Sequence, residues 1–210
     1  MMKLDTTLYL VTDSTYHDEK SFLYTIEEAC KGGITLLQLR EKERSTREYL
    51  ILAQKVKRLC DTYHIPLIID DRADIALTID AAGVHVGQSD LPVKEARRML
   101  GSERIVGATA KTVNQAREAY EDGADYLGVG AIYPTTTKVI TILTPVNTLE
   151  AICRSVPIPV VAIGGLNAEN MDILSSSSIK GMAVVSAIMK SKQPRKDTQI
   201  LKEKVLQIIN

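Results

Sequence analysis

The chain has 210 residues, 45% of them hydrophobic and 25% charged, with Lys+Arg and Asp+Glu balanced at 26 each. That is enough apolar material for one substantial core, while neutrality, the absence of Trp and a single Phe argue against a dedicated nucleic-acid binder. No apolar run reaches the roughly 18 residues of a membrane span, and the N-terminus lacks a signal-like segment. The expectation is one domain over residues 1–210, soluble and cytoplasmic, acting on small molecules rather than on nucleic acid or membrane.

In chain order, Thr7–Asp13 (TLYLVTD) reads as a strand. Ser21–Lys31 follows with helical spacing of Phe22, Ile26 and Ala29, and Gly32-Gly33 stops it. Thr35–Glu41 is the next strand. Ser45 is positioned to cap a helix over Thr46–Tyr63, with Tyr49, Leu52, Ala53 and Val56 on its buried stripe. The alternation continues with strand Pro66–Asp71, helix Ala73–Ile79, strand Gly83–Gln88, helix Val93–Leu100, strand Arg104–Ala110 and helix Val113–Asp122.

Gly128–Lys138 (GVGAIYPTTTK) then starts as a buried strand and turns at Pro134 into three hydroxyls and a lysine. A strand that ends in fixed donors suits phosphate oxygens. Beyond it come helix Asn147–Arg154, strand Pro159–Gly165, helix Ala168–Ser175, strand Gly181–Ile188 and a closing helix Gln193–Ile209. Cys30, Cys60 and Cys153 are odd in number and far apart, so reduced, packed thiols are expected.

Eight nearly all-apolar strands alternating with eight helices indicate a parallel α/β sheet covered by helices. A single-domain (β/α)8 TIM barrel fits best, and a doubly wound open sheet is the alternative. In either, ligands sit at the C-terminal strand ends. There the sequence places Gln38, Arg40, Glu41 and Lys42, then Asp70 and Asp71, Gln88 and Asp90, Thr109 and Lys111, Thr135 to Lys138, Gly164-Gly165 and Ser186.

Asp71 and Asp90 lie just past neighbouring strands, so both can reach one ion. Mg2+ is commonly held by one or two carboxylates plus substrate phosphates, although either aspartate could instead cap the helix that follows. Arg40, Lys42 and Lys138 bring cations to the same mouth, and a diphosphate is the natural occupant between them. Gly164-Gly165 and Ser186 suggest a second anion site. No Ser–His or Cys–His arrangement is evident, and His85 between two valines reads as a hydrogen-bonded barrel histidine.

Seven segments carry a family likeness. QLREK (Gln38–Lys42), Asp70-Asp71, GVHVGQSD (Gly83–Asp90), GATAKT (Gly107–Thr112), DGADYLGVGAIYPTTTK (Asp122–Lys138), IPVVAIGGL (Ile158–Leu166) and VVSAI (Val184–Ile188) together resemble thiamine-phosphate synthases. The resemblance implies a Mg2+-dependent (β/α)8 transferase joining a hydroxymethylpyrimidine diphosphate to a thiazole phosphate. It places Gln38, Leu39, Arg40, Glu41, Lys42, Asp70, Thr109 and Lys138 at the pyrimidine diphosphate, with Arg40, Lys42, Lys138 and Thr109 serving catalysis. Asp71 and Asp90 would hold the metal, and Thr135, Thr136, Thr137, Gly165, Val185 and Ser186 the thiazole phosphate. A homo-oligomer is compatible with this reading.

Departures from the family pattern stand at Asp70, where Asn is usual, and at Thr109, where Ser is usual. Others are the apolar VITILTPV after Lys138 and SSSSIKG, where a GADG-like turn is usual. A thiazole-phosphate tautomerase of the same superfamily and a non-catalytic phosphate-binding barrel remain as alternatives.

Overall fold

The computed structural model describes residues 4–15, 17–135 and 142–210. Eight strands, β1 (Leu8–Val11), β2 (Leu36–Leu39), β3 (Leu67–Asp70), β4 (Gly83–Val86), β5 (Ile105–Ala110), β6 (Tyr126–Gly130), β7 (Val160–Ile163) and β8 (Gly181–Val184), close into a ring in sequence order. Every pairing is parallel, and β8 returns to β1 with Tyr9 opposite Ala183. The closed ring is the (β/α)8 barrel, not the open sheet.

Strand alternation divides the core in two. Tyr9, Val11, Leu36, Ile68, Ile105, Tyr126, Val161 and Ala183 pack inside the barrel. Their neighbours Leu8, Leu10, Leu37, Leu39, Ile69 and Val84 face outward into the layer shared with the helices. Each fully buried Leu there contributes about 2–3 kcal/mol of transfer free energy, which is why the strands read as continuous apolar runs.

Space inside the ring is made by missing side chains. A Cβ on Gly107 would run into the ring of Tyr126, and one on Gly128 would lie 3.2 Å from His85 Cε1. Two large polar rings therefore fit across the barrel because two inward positions carry no side chain.

Helices α1 (Glu19–Gly32), α2 (Thr46–Thr62), α3 (Ala73–Thr78), α4 (Val93–Leu100), α5 (Val113–Glu121), α6 (Val146–Ser155), α7 (Ser186–Met189) and α8 (Pro194–Ile209) surround the sheet. Asp18 caps α1 by accepting from the Ser21 N–H at 2.7 Å, and Gly33, with φ 100°, ends it. Ser45 and Glu48 form a reciprocal capping box at α2.

Two expected elements differ. The helix over Ala168–Ser175 is only a 3-10 turn at Met171–Leu174. Serine side chains take backbone carbonyls there, Ser175 Oγ to Asp172 O at 2.7 Å and Ser177 Oγ to Leu174 O at 2.6 Å, which competes with helix propagation. The strand over Gly181–Ile188 stops at Val184, and Ser186–Met189 winds into α7. Cys30 and Cys60 are buried and Cys153 half-buried, all as free thiols. Among the described residues no helix is long and apolar enough to cross a membrane.

Candidate active site

At the C-terminal end of the barrel lies a pocket of about 360 Å3, to which strands from around the ring contribute. A larger groove, about 880 Å3, opens at the opposite end between the segment Leu4–Thr7, the end of α6 and Ser178–Lys180. The smaller pocket is where polar side chains converge, and barrel enzymes do their chemistry at that end.

Its floor is a hydrogen-bonded row of inward side chains. Gln38 Nε2 donates to Tyr9 Oη at 2.8 Å, and Tyr9 Oη lies 2.7 Å from Tyr126 Oη. Tyr126 Oη lies 3.0 Å from His85 Nδ1, and His85 Nε2 lies 3.0 Å from Thr109 Oγ1. Burial holds the His85 imidazole down at about 4, so the ring is neutral at ordinary pH. His85 is the hydrogen-bonded barrel histidine expected of it. Tyr9 and Tyr126 were not singled out from the sequence, although their inward strand parity matches that of Gln38, His85 and Thr109.

One rim carries opposed charges. Lys42 Nζ lies 3.0 Å from Asp70 Oδ2 and contacts Asp71 Oδ2, and Arg40 Nε is 3.9 Å from Asp70 Oδ2. Burial works against the Lys42 ammonium, but its hydrogen bond to Asp71 and the charge of Asp70 outweigh burial and raise its pKa. Asp71 is nevertheless pushed up to about 6, by burial, by the charge of Asp70 and by a hydrogen bond to Asp90, against the pull of Lys42. Burial is the leading cause, and the neighbouring carboxylates add to it: Asp70, Asp71 and Asp90 stand here against Lys42 and the more distant Arg40.

Asp71 and Asp90 cap no helix: the N-cap residue of α3 is Arg72 and that of α4 is Pro92, and neither helix has a side-chain cap. Asp90 Oδ2 instead accepts from the Gly87 N–H at 3.0 Å, and Asp71 sits in the left-handed region at φ 59°. Asp70 Oδ2 is buried without a hydrogen-bond partner; its approach to Lys42 is an ion pair by distance only. Adjacent hard-oxygen donors with excess negative charge fit a magnesium ion. Among the described residues no group of three or more His, Cys, Asp or Glu side chains forms a cage, and Mg2+ needs none when ligand oxygens and water complete its shell.

The opposite rim is mostly backbone. Gly164 and Gly165, with φ 104° and 67°, line the pocket beside Val185 and Ser186. A Cβ on Gly165 would come within 2.7 Å of Tyr133 Cβ, so the turn is packed directly beneath the strand-six exit. Thr135, Ala131 and Ile142 complete that side. Thr136, Thr137 and Lys138 lie outside the described residues, as do residues 139–141 of the segment that follows them.

Of the other expected site residues, Gln38, Arg40, Lys42, Asp70, Asp71, Asp90 and Thr109 come together at this pocket, and Leu39 and Glu41 do not. Leu39 is fully buried in the outer layer. Glu41 turns its Oε2 to Ser14 Oγ and Arg44 Nε, each at 2.8 Å. Lys111 also lines the pocket, a cation that the resemblance had not placed in the site.

A profile of the thiamine monophosphate synthase family matches residues 8–188. "Thiamine-phosphate synthase 2" of Streptococcus pneumoniae is 50% identical over 203 residues, covering 97% of both chains. The thiamine-phosphate synthase of Methanobrevibacter smithii is 51% identical over 195 residues, covering 93% of both. Among solved structures, the thiamine phosphate pyrophosphorylase of Pyrococcus furiosus superposes with a TM-score of 0.86 at 36% identity, covering 97% of each chain. The chain belongs to the thiamine monophosphate synthase family.

Proposed function

We propose that this barrel is a cytoplasmic transferase that condenses 4-amino-5-hydroxymethyl-2-methylpyrimidine diphosphate with 4-methyl-5-(2-phosphooxyethyl)thiazole, giving thiamine phosphate and diphosphate. The observation that carries this reading is the asymmetry of one pocket. Arg40, Lys42 and the aspartates line one rim, glycine backbone and Ser186 line the other, and a polar floor lies between.

The reaction breaks the bond between the pyrimidine methylene carbon and the diphosphate oxygen, whose electron pair leaves with the diphosphate. The thiazole nitrogen then supplies its lone pair to the same carbon. No proton has to be removed from either partner, which is consistent with a pocket whose one histidine is held neutral within the floor. Arg40 and Lys42 face the leaving group, and pre-placed cations stabilise charge as it develops. Lys138 is proposed for the same duty. Mg2+, held by Asp71 and Asp90, would supply further neutralisation of the diphosphate.

Gly165, Val185 and Ser186, with Thr135 to Thr137, are proposed to hold the thiazole phosphate so that its nitrogen faces the methylene carbon. Alignment of two bound reactants contributes much of such a rate enhancement. Water is kept from the cationic carbon by apolar walls including Ala131, Ile163 and Val185.

The test is a coupled assay with both phosphorylated substrates, with and without a chelator, following thiamine phosphate and diphosphate. Equimolar products that vanish on chelation are expected. No product from folded protein that binds either substrate would sink the synthase reading.

A further inference from the structure

The floor of the pocket runs Gln38–Tyr9–Tyr126–His85–Thr109, five side chains from five strands, each within 3.0 Å of the next. A chain of hydroxyls and one imidazole has two possible proton polarities, and its terminus selects one. Gln38 is that terminus. Its Nε2 donates to Tyr9.

With Tyr9 accepting from Gln38, the Tyr9 proton must go to Tyr126, because among the described residues no other acceptor meets this hydroxyl and Tyr9 is buried. An orphaned buried donor would cost more than the chain gains. Tyr126 then donates to His85 Nδ1, His85 carries its proton on Nε2, and that N–H donates to Thr109 Oγ1. The Thr109 carbonyl accepts from Gln88 Nε2, but its Oγ1 meets no second side-chain or backbone partner among the described residues, so its own O–H is left for the pocket. At the other end, Gln38 has its nitrogen committed and its carbonyl oxygen available.

We infer that Tyr9, Tyr126 and His85 are positioning residues that fix the floor as one acceptor, Gln38 Oε1, and one donor, Thr109 O–H, and so select an aminopyrimidine over its oxo counterpart. This rests on the synthase reading of the pocket. An amino group beside a ring nitrogen presents a donor and an acceptor, the complement of that pair. The deaminated ring presents a carbonyl beside an N–H, which mismatches both positions. Accepting from the amino group also favours release of its electrons into the ring, where the departing diphosphate leaves a deficit. The two phenols and the imidazole thus act on the substrate without touching the reacting carbon.

The first test needs no turnover. In ligand-free protein carrying 15N-labelled histidine, multiple-bond proton–nitrogen spectra should show His85 as the Nε2–H tautomer with a bare Nδ1; the Nδ1–H tautomer overturns the proposal. Calorimetric titration with the pyrimidine diphosphate and its 4-oxo analogue should give about 100-fold preference for the amino ring. Tyr126→Phe, which keeps the ring and removes the link, should populate both tautomers and cut the preference about tenfold. Tyr9→Phe is the second variant should Tyr126→Phe fail to fold, with the same expectation for the preference. Equal affinity of the wild type for both rings, or an undiminished preference in the folded variants, also overturns it. Discrimination without any turnover would instead count against the synthase reading and leave this assignment standing.

Discussion

The backbone N–H of Asp71 donates to the carbonyl of His85 at 2.8 Å, tying the carboxylate-bearing exit of β3 to the end of β4 while Asp71 holds a left-handed φ of 59°. Non-glycine residues seldom adopt that conformation, and those that do cluster at functional sites.

Asp71→Asn should therefore fold normally, since Asn tolerates the left-handed region, while turnover falls by at least about 100-fold through loss of the metal-side charge. Asp71→Val should unfold earlier in denaturant, by about 1–3 kcal/mol, because a β-branched residue strains the same backbone. Normal kcat for Asp71→Asn would refute its role.

Lys42→Met removes the ammonium that contacts both Asp70 and Asp71. The expected result is a loss of about 100-fold in kcat/KM for the diphosphate substrate, with KM for the thiazole phosphate little changed. Equal effects on both substrates would place Lys42 in general packing rather than at the diphosphate.

Asp70→Asn replaces a buried carboxylate whose Oδ2 has no hydrogen-bond partner and whose charge raises its neighbour Asp71. Relieving that repulsion should keep activity within about threefold of wild type and leave stability equal or higher. A tenfold loss would show instead that the third carboxylate is needed.

Stability against pH should reveal two opposing groups in chelator-treated protein. His85 is lowered from its ordinary 6.5 to about 4, so the unfolded chain binds its proton first. Its contribution is intact above pH 6.5 and is lost as pH falls toward 4, to a limit of about 3 kcal/mol. Asp71 is raised from 3.8 to about 6, so the folded chain binds that proton first and gains stability over the overlapping range as pH falls. Urea midpoints of His85→Gln between pH 7 and pH 4 should therefore rise, relative to wild type, as the solution is acidified. Parallel curves would mean that His85 is not buried neutral.

Gly165→Ala meets both a φ of 67° and the Tyr133 Cβ at 2.7 Å. It should cost about 1–3 kcal/mol of stability and raise KM for the thiazole phosphate at least about tenfold, through displacement of a backbone that approaches the ligand. The pyrimidine diphosphate KM should hold; a rise in that KM alone would reverse the assignment of the two rims.

Repeating strands and helices were legible because each strand is buried on both faces and each long helix keeps an apolar stripe. Strand eight was read too long because VVSAI suits either a buried strand or a buried short helix, and periodicity over so few residues cannot separate them. Ala168–Ser175 was read as helix because the bonds from Ser175 and Ser177 to carbonyls are not visible in an apolar pattern. The charged residues that line the pocket, Arg40, Lys42, Asp70, Asp71 and Asp90, were legible from their position at the strand ends. Glu41 shows the limit: its position fitted, but Ser14 and Arg44, partners no local pattern names, turn it aside. The floor was illegible for a similar reason, since Tyr9 and Tyr126 meet across 117 residues of chain.

Gly107 and Tyr126 share one volume, the space a Cβ at the first position would need being filled by the ring of the second. Neither can be altered independently. Gly107→Ala should be severe alone yet largely rescued when Tyr126 is also made smaller, a compensation measurable as a strongly non-additive double mutant. Any drift of this barrel toward another chemistry that enlarges position 107 must therefore give up the tyrosine, and with it the hydrogen-bonded floor, in the same step.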